Sequence, residues 1–410
     1  MKIRALFCIA LLLVLFSCEQ DEVYEPSFYD CSFDFADSSA FNPNTAQYQS
    51  VIDNMTAQGV PGVIMCVSKP GENAWTGASG MADLKSSIGL QPCNITRVGS
   101  TVKTFTSVTI LQLAEQGKLN LDDLAEDYLS SDEIKDIENA DIATIRQLLN
   151  HSSGIFNYIQ DLKFQTASLN DLIREWQPEE LLQYARHKKA YFAPGEDVEY
   201  SNTNYILLGD IIETVTGKPF WQVFQENIFN PLNLSETVFA ATDPVPDGII
   251  RGYVDLYSNL DVINATYYSG WDYYSADGGL ISNPHDLFTF LKSVIDKQII
   301  TAESYDEMTT WIAPKNPDPD FFPIWYGLGI FKMETPYGPA YFHSGDAIGY
   351  YAIMLYLADH DTYISWAVNV NYGKIDEFTQ TKEAITAVLD GVMGATSHKP
   401  QASGYNSINY

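Results

Sequence analysis

Apolar and polar positions alternate along this chain in two patterns, one typical of strands and one typical of helices. Two strand-like runs, Val60–Ser68 and Ala74–Gly80, flank the turn-forming residues 69–73 and predict a β-hairpin. Just before them, residues 46–59 place apolar side chains at helical spacing, which predicts an amphipathic opening helix. Further strands are predicted near the other end, at Ala340–His343, Tyr350–Leu357 and Tyr363–Val370.

Helical spacing dominates the middle of the chain. Predicted helices are bounded by residues that favour a start or a stop, such as an Asn-Pro pair or a following glycine. These helices are predicted from Thr101 to about Gly117, over Asn204–Thr216, from Asn283 onward and over Ile375–Met393. Strands near both ends with helices between them predict a sheet made from both ends of the chain.

The first 18 residues have the charge and hydropathy of an export signal. Lys2 and Arg4 precede the apolar stretch Leu6–Phe16, which is too short to span a bilayer comfortably. The stretch leads to Cys18 in a sequence that resembles a bacterial lipobox, which implies lipidation of Cys18. We therefore expect an exported protein, lipid-anchored in the cell envelope of a Gram-negative bacterium, on the periplasmic or surface side of the outer membrane. An ordinary cleaved signal with a chance cysteine is the alternative.

The flanks of the chain lack periodicity. We expect a tether at residues 19–45, one domain over residues 46–395 and a flexible tail at residues 396–410. Apolar residues make up 46% of the chain, which is enough for a packed core. The formal net charge of −30 leaves no basic surface for nucleic acid, so we expect membrane contact through the lipid anchor only.

Three cysteines follow the lipobox, at Cys31, Cys66 and Cys93. No Cys-x-x-Cys or paired Cys/His spacing exists, and the six histidines show no metal-ligand spacing, so we expect no metal site. One disulfide is possible in an exported chain, but the sequence does not assign it. We expect all three cysteines to be free or buried.

Ser100-Thr101-Val102-Lys103 is the only Ser-x-x-Lys in the chain, and it opens a predicted helix. A serine hydroxyl needs a neighbouring group to take its proton before it acts as a nucleophile. Residues three apart share a helical face, so the Lys103 amine should point back towards Ser100. Apolar neighbours make Lys103 lose its charge more easily, and the helix N-terminus favours an oxyanion. Alone, the tetrapeptide is also compatible with chance or with a serine N-cap.

A second candidate is Tyr200-Ser201-Asn202, which lies between a Pro-Gly turn and a predicted helix. A polarised Tyr200 hydroxyl could shuttle a proton, and the Asn202 amide could orient Lys103 and the substrate. The same tripeptide recurs at Tyr257 without a following helix, so only its context favours a function.

The third candidate is His343-Ser344-Gly345, at the end of a predicted strand. A strand edge can bind a substrate backbone, and Gly345 would allow the close approach. Its N–H groups could complete an oxyanion hole with the N–H of Ser100. A lone histidine is more often structural, so this motif gains its weight from the other two.

These three motifs, in this order, resemble those of the penicillin-recognising serine hydrolases, which include class C β-lactamases, D-alanyl-D-alanine carboxypeptidases, D-aminopeptidases and esterases. The resemblance covers about residues 46–395 and includes Ile145–Gly154, Gly278–Ser282 and Tyr326–Gly329. It implies an α/β (α+β) fold of the β-lactamase/transpeptidase type. Such a fold has an antiparallel sheet flanked by helices, with a mostly helical subdomain inserted at about residues 101–265.

The resemblance also implies a role for each residue of the first two motifs. Ser100 would be the acylated nucleophile. Lys103 and Tyr200 would share the general-base role and return the proton to the leaving group. Asn202 would hold Lys103 and contact the substrate amide.

The strand motif receives the remaining roles. His343 would tune Tyr200, and Ser344 would hydrogen-bond a substrate carboxylate or carbonyl. Gly345 would let the substrate approach the strand. The backbone N–H of Asp346 would join that of Ser100 in the oxyanion hole.

Two departures from the family bear on the substrate. Close carboxypeptidase relatives place an arginine shortly after Tyr-Gly-Leu-Gly, where it binds the terminal carboxylate of the substrate. Here residues 330–333 contain no arginine, and Lys332 is the candidate substitute, without the fork geometry. Asp346 adds a negative charge directly after His-Ser-Gly. Both departures favour an uncharged ester, amide or lactam.

We therefore expect a serine acyl hydrolase that forms a covalent acyl-Ser100 intermediate and is similar to a D-alanyl-D-alanine carboxypeptidase or an esterase. The alternatives are a class C-like β-lactamase and a non-catalytic penicillin- or peptidoglycan-binding protein. We expect a small-molecule or peptidoglycan-derived substrate, no cofactor and a monomer.

Overall fold

The structure, a computed structural model, describes residues 41–246, 248–268 and 270–394. The predicted signal at residues 1–18, most of the predicted tether and the predicted tail therefore lie outside the described residues, as do Cys18 and Cys31. Within the described ranges, no helix is long and apolar enough to cross a bilayer.

The strands of the described residues form one large sheet and two small ones. In chain order they are β1 (Gly62–Ser68), β2 (Trp75–Asp83), β3 (Ile88–Gly89), β4 (Thr96–Arg97), β5 (Val238–Phe239), β6 (Tyr253–Val254), β7 (Ile263–Asn264), β8 (Leu280–Ser282), β9 (Ile324–Tyr326), β10 (Phe331–Thr335), β11 (Gly338–Ala347), β12 (Tyr350–Leu357), β13 (Thr362–Val368) and β14 (Val370–Asn371).

The large sheet is antiparallel throughout, in the order β3-β2-β1-β13-β12-β11-β10-β9. The predicted hairpin is confirmed as β1 and β2. Strand β1 also pairs with β13, with Ile64 opposite Ala367, so strands from the two ends of the chain meet within the sheet. The small sheets have the orders β14-β6-β7 and β4-β8-β5.

Helices surround the large sheet. The α-helices are α1 (Thr45–Ala57), α2 (Val102–Glu115), α3 (Ile145–Leu149), α4 (Leu162–Asn170), α5 (Pro178–Leu182), α6 (Asn202–Thr216), α7 (Phe220–Phe224), α8 (Asn230–Leu232), α9 (Pro284–Ile295), α10 (Ala302–Met308) and α11 (Lys382–Met393). Short 3-10 turns lie at Gly99–Thr101, Ala125–Asp127, Tyr158–Gln160, Ala358–His360 and Gly373–Phe378, and a π-helical turn lies at Gln225–Phe229.

Two hydrophobic cores cover the two faces of the large sheet. Along β12, Ala352 and Met354 belong to the core shared with α2, α6 and α9, whereas Ile353 and Leu355 belong to the core shared with α1 and α11. Successive residues of a strand point to opposite faces, so one strand serves both cores. The predicted α/β (α+β) architecture, an antiparallel sheet flanked by helices, is confirmed.

Several element boundaries differ from the prediction, most of all those of β11 and of the closing helix. Strand β11 continues past His343, because residues 344–347 keep their pairing with β12. The closing helix predicted over Ile375–Met393 is broken into the 3-10 turn Gly373–Phe378 and α11. The break follows from Thr381, whose hydroxyl accepts a backbone hydrogen bond from the first turn of α11 and so starts a new helix.

The two cysteines in the described residues differ in state. Cys66 on β1 is a buried free thiol, as expected. Cys93 is also buried, but it is disulfide-bonded and is therefore not a free thiol. Spacing along the sequence gave no sign of this difference.

Candidate active site

Ser100 lies in a tight turn at the head of α2. The turn Gly99–Thr101 runs directly into the helix, which confirms the predicted helix start. Gly99 has a φ of 48°, in the left-handed region that favours glycine, and a Cβ there would come within 2.5 Å of the Asp346 carbonyl oxygen. The turn therefore holds the backbone of Ser100 beside strand β11.

Lys103 is completely buried in the first turn of α2. Its Nζ donates to Ser100 Oγ at 2.9 Å and to the Asp277 carbonyl oxygen at 2.5 Å. Burial lowers the pKa of Lys103 to about 8, although the negative charges of Asp277 and Asp272 oppose that shift. A useful fraction of the amine is therefore neutral near neutral pH, and this form can accept the proton of Ser100.

Tyr200 lies just before α6 and faces the same lysine. Its ring centre is 4.5 Å from that of His151 and 5.2 Å from Lys103 Nζ. Burial raises the pKa of Tyr200 above its ordinary value, and a hydrogen bond with Ser100 only partly opposes the rise. The phenol therefore stays protonated at neutral pH, which suits Tyr200 to relaying a proton rather than to standing as a tyrosinate.

Asn202 is the first residue of α6, and it lines the cavity with Ser100. Its backbone N–H donates to Asn157 Oδ1 at 3.2 Å, and the Asn157 amide donates to the carbonyl of Tyr200 at 3.3 Å. Asn157 thus fixes the turn that carries the Tyr-Ser-Asn motif. Lys103 donates to Ser100 and to a backbone carbonyl, and no hydrogen bond among the described residues joins it to Asn202, which was expected to hold it.

Strand β11 borders the nucleophile. A Cβ on Gly345 would lie 2.1 Å from the Val98 carbonyl oxygen and 2.5 Å from the nitrogen of Ser100, so only glycine lets the strand approach this closely. The contact sets the backbone of Asp346 beside that of Ser100, the arrangement that an oxyanion hole needs. Ser344, on the same strand, lines the cavity.

His343 is buried on β11 and is neutral at physiological pH. Its Nδ1 lies 2.6 Å from the carbonyl oxygen of Ser344, so Nδ1 carries the proton, while Nε2 is buried with no hydrogen-bond partner in the described part of the chain. Burial and the charge of Lys103 lower the pKa of His343 to about 3. His343 therefore does not supply the positive charge that a lysine gives in other branches of the superfamily.

The motif residues meet in one cavity of about 380 Å³. Every predicted site residue from Ser100 to Asp346 except Lys103 lines it, and Lys103 reaches it through Ser100. The rest of the lining is mainly aromatic and acidic, and it includes Tyr158, Trp271, Asp272, Asp277, Phe331 and Tyr372.

Lys332, the candidate substitute for the missing arginine, points away from this cavity. Phe331 lines the cavity, and the next residue of β10, Lys332, points to the other face of the sheet. Lys332 Nζ lies 4.1 Å from the centre of the Trp325 ring and 3.6 Å from Glu334 Oε1. The expectation that Lys332 replaces the arginine is therefore wrong.

Two buried acids near Lys103, Asp272 and Asp277, were not predicted from the sequence. Asp277 accepts a hydrogen bond from the Tyr158 hydroxyl at 3.1 Å and another from the Ser275 hydroxyl. Burial raises the pKa of the neighbouring Asp272 to about 7, although the charge of Arg97 opposes the rise. The one signal was an aspartate directly before the Gly278-Gly279 pair. No group of three or more His, Cys, Asp or Glu side chains in the described ranges could hold a metal ion.

His151 also escaped assignment. Its buried Nδ1 accepts a hydrogen bond from the N–H of Ser201 at 3.1 Å, next to Tyr200. The rings of Tyr200, Tyr205 and Tyr326 pack around it. Burial lowers the pKa of His151 well below its ordinary value, so it supports Tyr200 as a neutral side chain.

Comparison with known proteins gives the family. The model of the Beta-lactamase family matches residues 49–387. The chain is 28% identical over 312 residues to Protein flp of Staphylococcus aureus strain MW2, and the alignment covers 74% of this chain and 59% of that protein. It is 26% identical over 328 residues to penicillin-binding protein 4* of Bacillus subtilis strain 168, covering 77% of this chain and 68% of that protein. The match to Protein flp thus spans less than two thirds of its length.

Solved structures agree with the family model. A D-stereospecific amidohydrolase from a Streptomyces species superposes with a TM-score of 0.74 at 28% identity, covering 86% of this chain and 100% of that one. A D-amino acid amidase from Ochrobactrum anthropi SV3, in complex with L-phenylalanine amide, has a TM-score of 0.74 at 25% identity, covering 86% and 99%. The chain belongs to the Beta-lactamase family, and its fold is that of the β-lactamase/DD-peptidase superfamily.

Proposed function

We propose that this protein hydrolyses amides and esters without a terminal carboxylate, through a covalent acyl-Ser100 intermediate. The observation that carries the proposal is the 2.9 Å hydrogen bond from Lys103 Nζ to Ser100 Oγ inside a buried site. A buried amine with a lowered pKa is a suitable neighbour to take the proton of a serine nucleophile.

In the proposed acylation, the Ser100 oxygen attacks the substrate carbonyl carbon as its proton passes to the neutral Lys103 amine. The N–H groups of Ser100 and Asp346 donate to the resulting oxyanion. The proton then passes through the Tyr200 hydroxyl to the leaving amine or alcohol, so the C–N or C–O bond breaks and acyl-Ser100 forms. Water attacks the acyl carbon by the reverse route, which releases the acid and restores the Ser100 hydroxyl.

The lining of the cavity supports the choice of substrate. Phe331 occupies the region where carboxypeptidase relatives are expected to carry an arginine, and Lys332 points away. A substrate with a terminal carboxylate would also meet the carboxyl group of Asp346. The names of two structural neighbours, a D-stereospecific amidohydrolase and a D-amino acid amidase, favour derivatives of D-amino acids.

Active-site labelling tests the covalent step. We expect a fluorophosphonate probe and a fluorescent penicillin to label the protein, and the Ser100→Ala variant to remain unlabelled. Labelling must be compared at matched thermal stability of the two proteins. If neither probe labels the wild-type protein, the catalytic proposal fails and the non-catalytic binding protein becomes the better reading.

Turnover assays then rank the substrates. Protein lacking residues 1–18 is assayed on a p-nitrophenyl ester, a D-Ala-D-Ala peptide and nitrocefin. We expect Ser100-dependent ester hydrolysis, weak nitrocefin turnover and little release of D-alanine from the peptide. Fast nitrocefin hydrolysis without ester activity would instead indicate a class C-like β-lactamase.

A further inference from the structure

The cavity around Ser100 carries an excess of negative groups. Three carboxyl side chains line it, those of Asp272, Asp277 and Asp346, and we call them the acidic patch. The cation at the site, Lys103, already donates to Ser100 Oγ and to a backbone carbonyl. The neutral imidazole of His343 adds no positive charge. A bound substrate therefore meets more negative than positive groups next to the nucleophile.

Asp272 is the member of the patch whose carboxyl group has no side-chain hydrogen bond or ion pair among the described residues. Its side chain is 4% exposed and lines the cavity. Asp277 accepts two side-chain hydrogen bonds, whereas none of the ion pairs in the described ranges involves Asp272. The charge of Arg97 acts on Asp272, but Arg97 Nη2 donates to the Pro244 carbonyl oxygen at 2.7 Å rather than to Asp272. A buried carboxyl group without a side-chain hydrogen bond is costly, so its position in the lining of the cavity indicates a ligand.

Asp346 supplies the exposed part of the patch. It directly follows Gly345, whose backbone contacts Ser100, so its carboxyl group lies close to the reacting centre. The side-chain amides of Asn371, at 3.4 Å from Asp346 Oδ1, and of Gln380 donate to this carboxyl group. A carboxylate can accept about four hydrogen bonds, so acceptor capacity remains for a ligand. Burial of the carboxyl group raises the pKa of Asp346 to about 7, although part of the residue is open to solvent. A cation there would favour its ionised form.

Aromatic side chains border the same region. Tyr372 lines the cavity. Burial raises the pKa of its phenol, and the charges of Asp346 and Asp272 add to the rise, so the ring lies near both acids. Its backbone is strained, with φ 59° and ψ 137°, a combination that residues other than glycine rarely adopt. Trp271 contributes a second ring to the lining. Aromatic faces beside carboxyl groups suit an organic ammonium ion.

We propose that Asp272 and Asp346 bind a positively charged α-amino group on the acyl part of the substrate. The preferred substrates are then amides and esters of amino acids whose amino group is free, and N-acylated or carboxylate-rich substrates are disfavoured. An α-amino group is attached to the carbon beside the scissile carbonyl, so it is the substrate cation that comes closest to Ser100. The inference rests on the proposed function, because it names the substrate of the same site.

Matched substrates test the charge requirement. Alanine p-nitroanilide and N-acetylalanine p-nitroanilide, each as both enantiomers, differ in the charge of the amino group. At about pH 7 we expect kcat/KM to favour the free amine by at least roughly tenfold for the preferred enantiomer. A ratio at or below one overturns the proposal.

Matched variants assign the effect to the two acids. Asp272→Asn and Asp346→Asn should each lower the free-amine to N-acetyl ratio by roughly tenfold. The ratio within one variant cancels general losses of activity. Asp306→Asn removes the same charge from the exposed surface of α10 and should leave the ratio as it is. A ratio that neither cavity variant changes overturns the assignment.

A binding experiment separates this inference from the proposed function. The Ser100→Ala variant cannot be acylated, so calorimetry can compare its binding of alaninamide and N-acetylalaninamide. Selective binding of alaninamide supports the inference even if the wild-type protein hydrolyses nothing. Equal affinities, or no binding of alaninamide, overturn it even if Ser100-dependent ester hydrolysis is observed.

Discussion

In the proposed mechanism, the ionisation of one residue, Lys103, decides whether Ser100 can react. An ordinary lysine has a pKa of about 10.4 and is almost entirely charged at neutral pH. Burial lowers the pKa of Lys103 to about 8, and the charges of Asp277 and Asp272 keep it from falling further. The neutral amine is the form that accepts a proton, so activity should follow the deprotonation of Lys103.

We expect kcat/KM for an uncharged p-nitrophenyl ester to rise about tenfold per pH unit below pH 8 and to level off above it. The direction of this pH dependence follows from the role of Lys103 as the base. Protonation of Lys103 removes the proton acceptor, so activity is lost as the pH falls through the pKa of Lys103. The measurement is a pH profile after subtraction of the Ser100→Ala background. A rise in kcat/KM with its midpoint near pH 6.5 would contradict this expectation and would indicate a histidine as the base.

The Tyr158→Phe variant provides the matched control for that profile. Tyr158 donates a hydrogen bond to the carboxylate of Asp277, so its loss raises the pKa of Asp277 and weakens the negative charge near Lys103. The pKa of Lys103 should then fall, and the limb should move to lower pH by roughly half a unit. A shift to higher pH would contradict the role given to Asp277.

Some of this residue-level detail was predictable and some was not. The contact of Ser100 with Lys103 follows from helical spacing, which is local. The contact of Lys103 with Asp277 joins residues 174 positions apart, so no local pattern contains it. The neutral state of His343 depends on burial, which the sequence does not give. The motifs therefore predicted that their own residues lie around one cavity. Tertiary packing brought Asp277 to Lys103 and determined the ionisation of the buried groups.

At the scale of elements, the site depends on how closely β11 approaches the turn before α2. Gly99 and Gly345 face this contact from its two sides, and a Cβ on either would collide with backbone atoms. The contact places the backbone of Asp346 beside that of Ser100, as an oxyanion hole formed by their N–H groups requires. Alignment by backbone contact cannot be restored by a change of side-chain rotamer.

Gly345→Ala should therefore lower kcat/KM for a p-nitrophenyl ester by at least about a hundredfold. The added methyl group would force β11 away from Ser100 and should destabilise the fold by roughly 1–3 kcal/mol. Gly89→Ala on β3 is the control, since a Cβ there meets nothing within 4 Å. Kinetics and thermal melting of both variants check this. Full activity of Gly345→Ala would refute the alignment argument.

Element boundaries were less predictable than element existence. The β1–β2 hairpin and α6 follow from local periodicity and clear stop residues. The extension of β11 through residues 344–347 depends on its pairing with β12, a partner that local sequence does not specify. The helix break before α11 comes from the Thr381 cap, whereas the apolar spacing continues across the break and indicates one helix.

At the scale of the whole molecule, the predicted lipid anchor lies outside the described residues and stays a prediction. When the full chain is expressed in a Gram-negative host with labelled palmitate, we expect label in the membrane fraction. Cys18→Ser should abolish it, because the lipid is expected on that thiol. Cys31→Ser is the matched control and should keep the label. Undiminished labelling of Cys18→Ser would exclude the anchor.

The pairing of β1 with β13 has a consequence in time. Chains are synthesised from the N-terminus, so the turn that carries Ser100 is made well before β11, the strand that completes its site. Long-range pairings of this kind close late and slow the search for the native state. A growing chain should therefore have no hydrolytic activity until its C-terminal strands have joined the sheet. The rate at which ester hydrolysis returns during refolding would then report the rate at which the large sheet is completed.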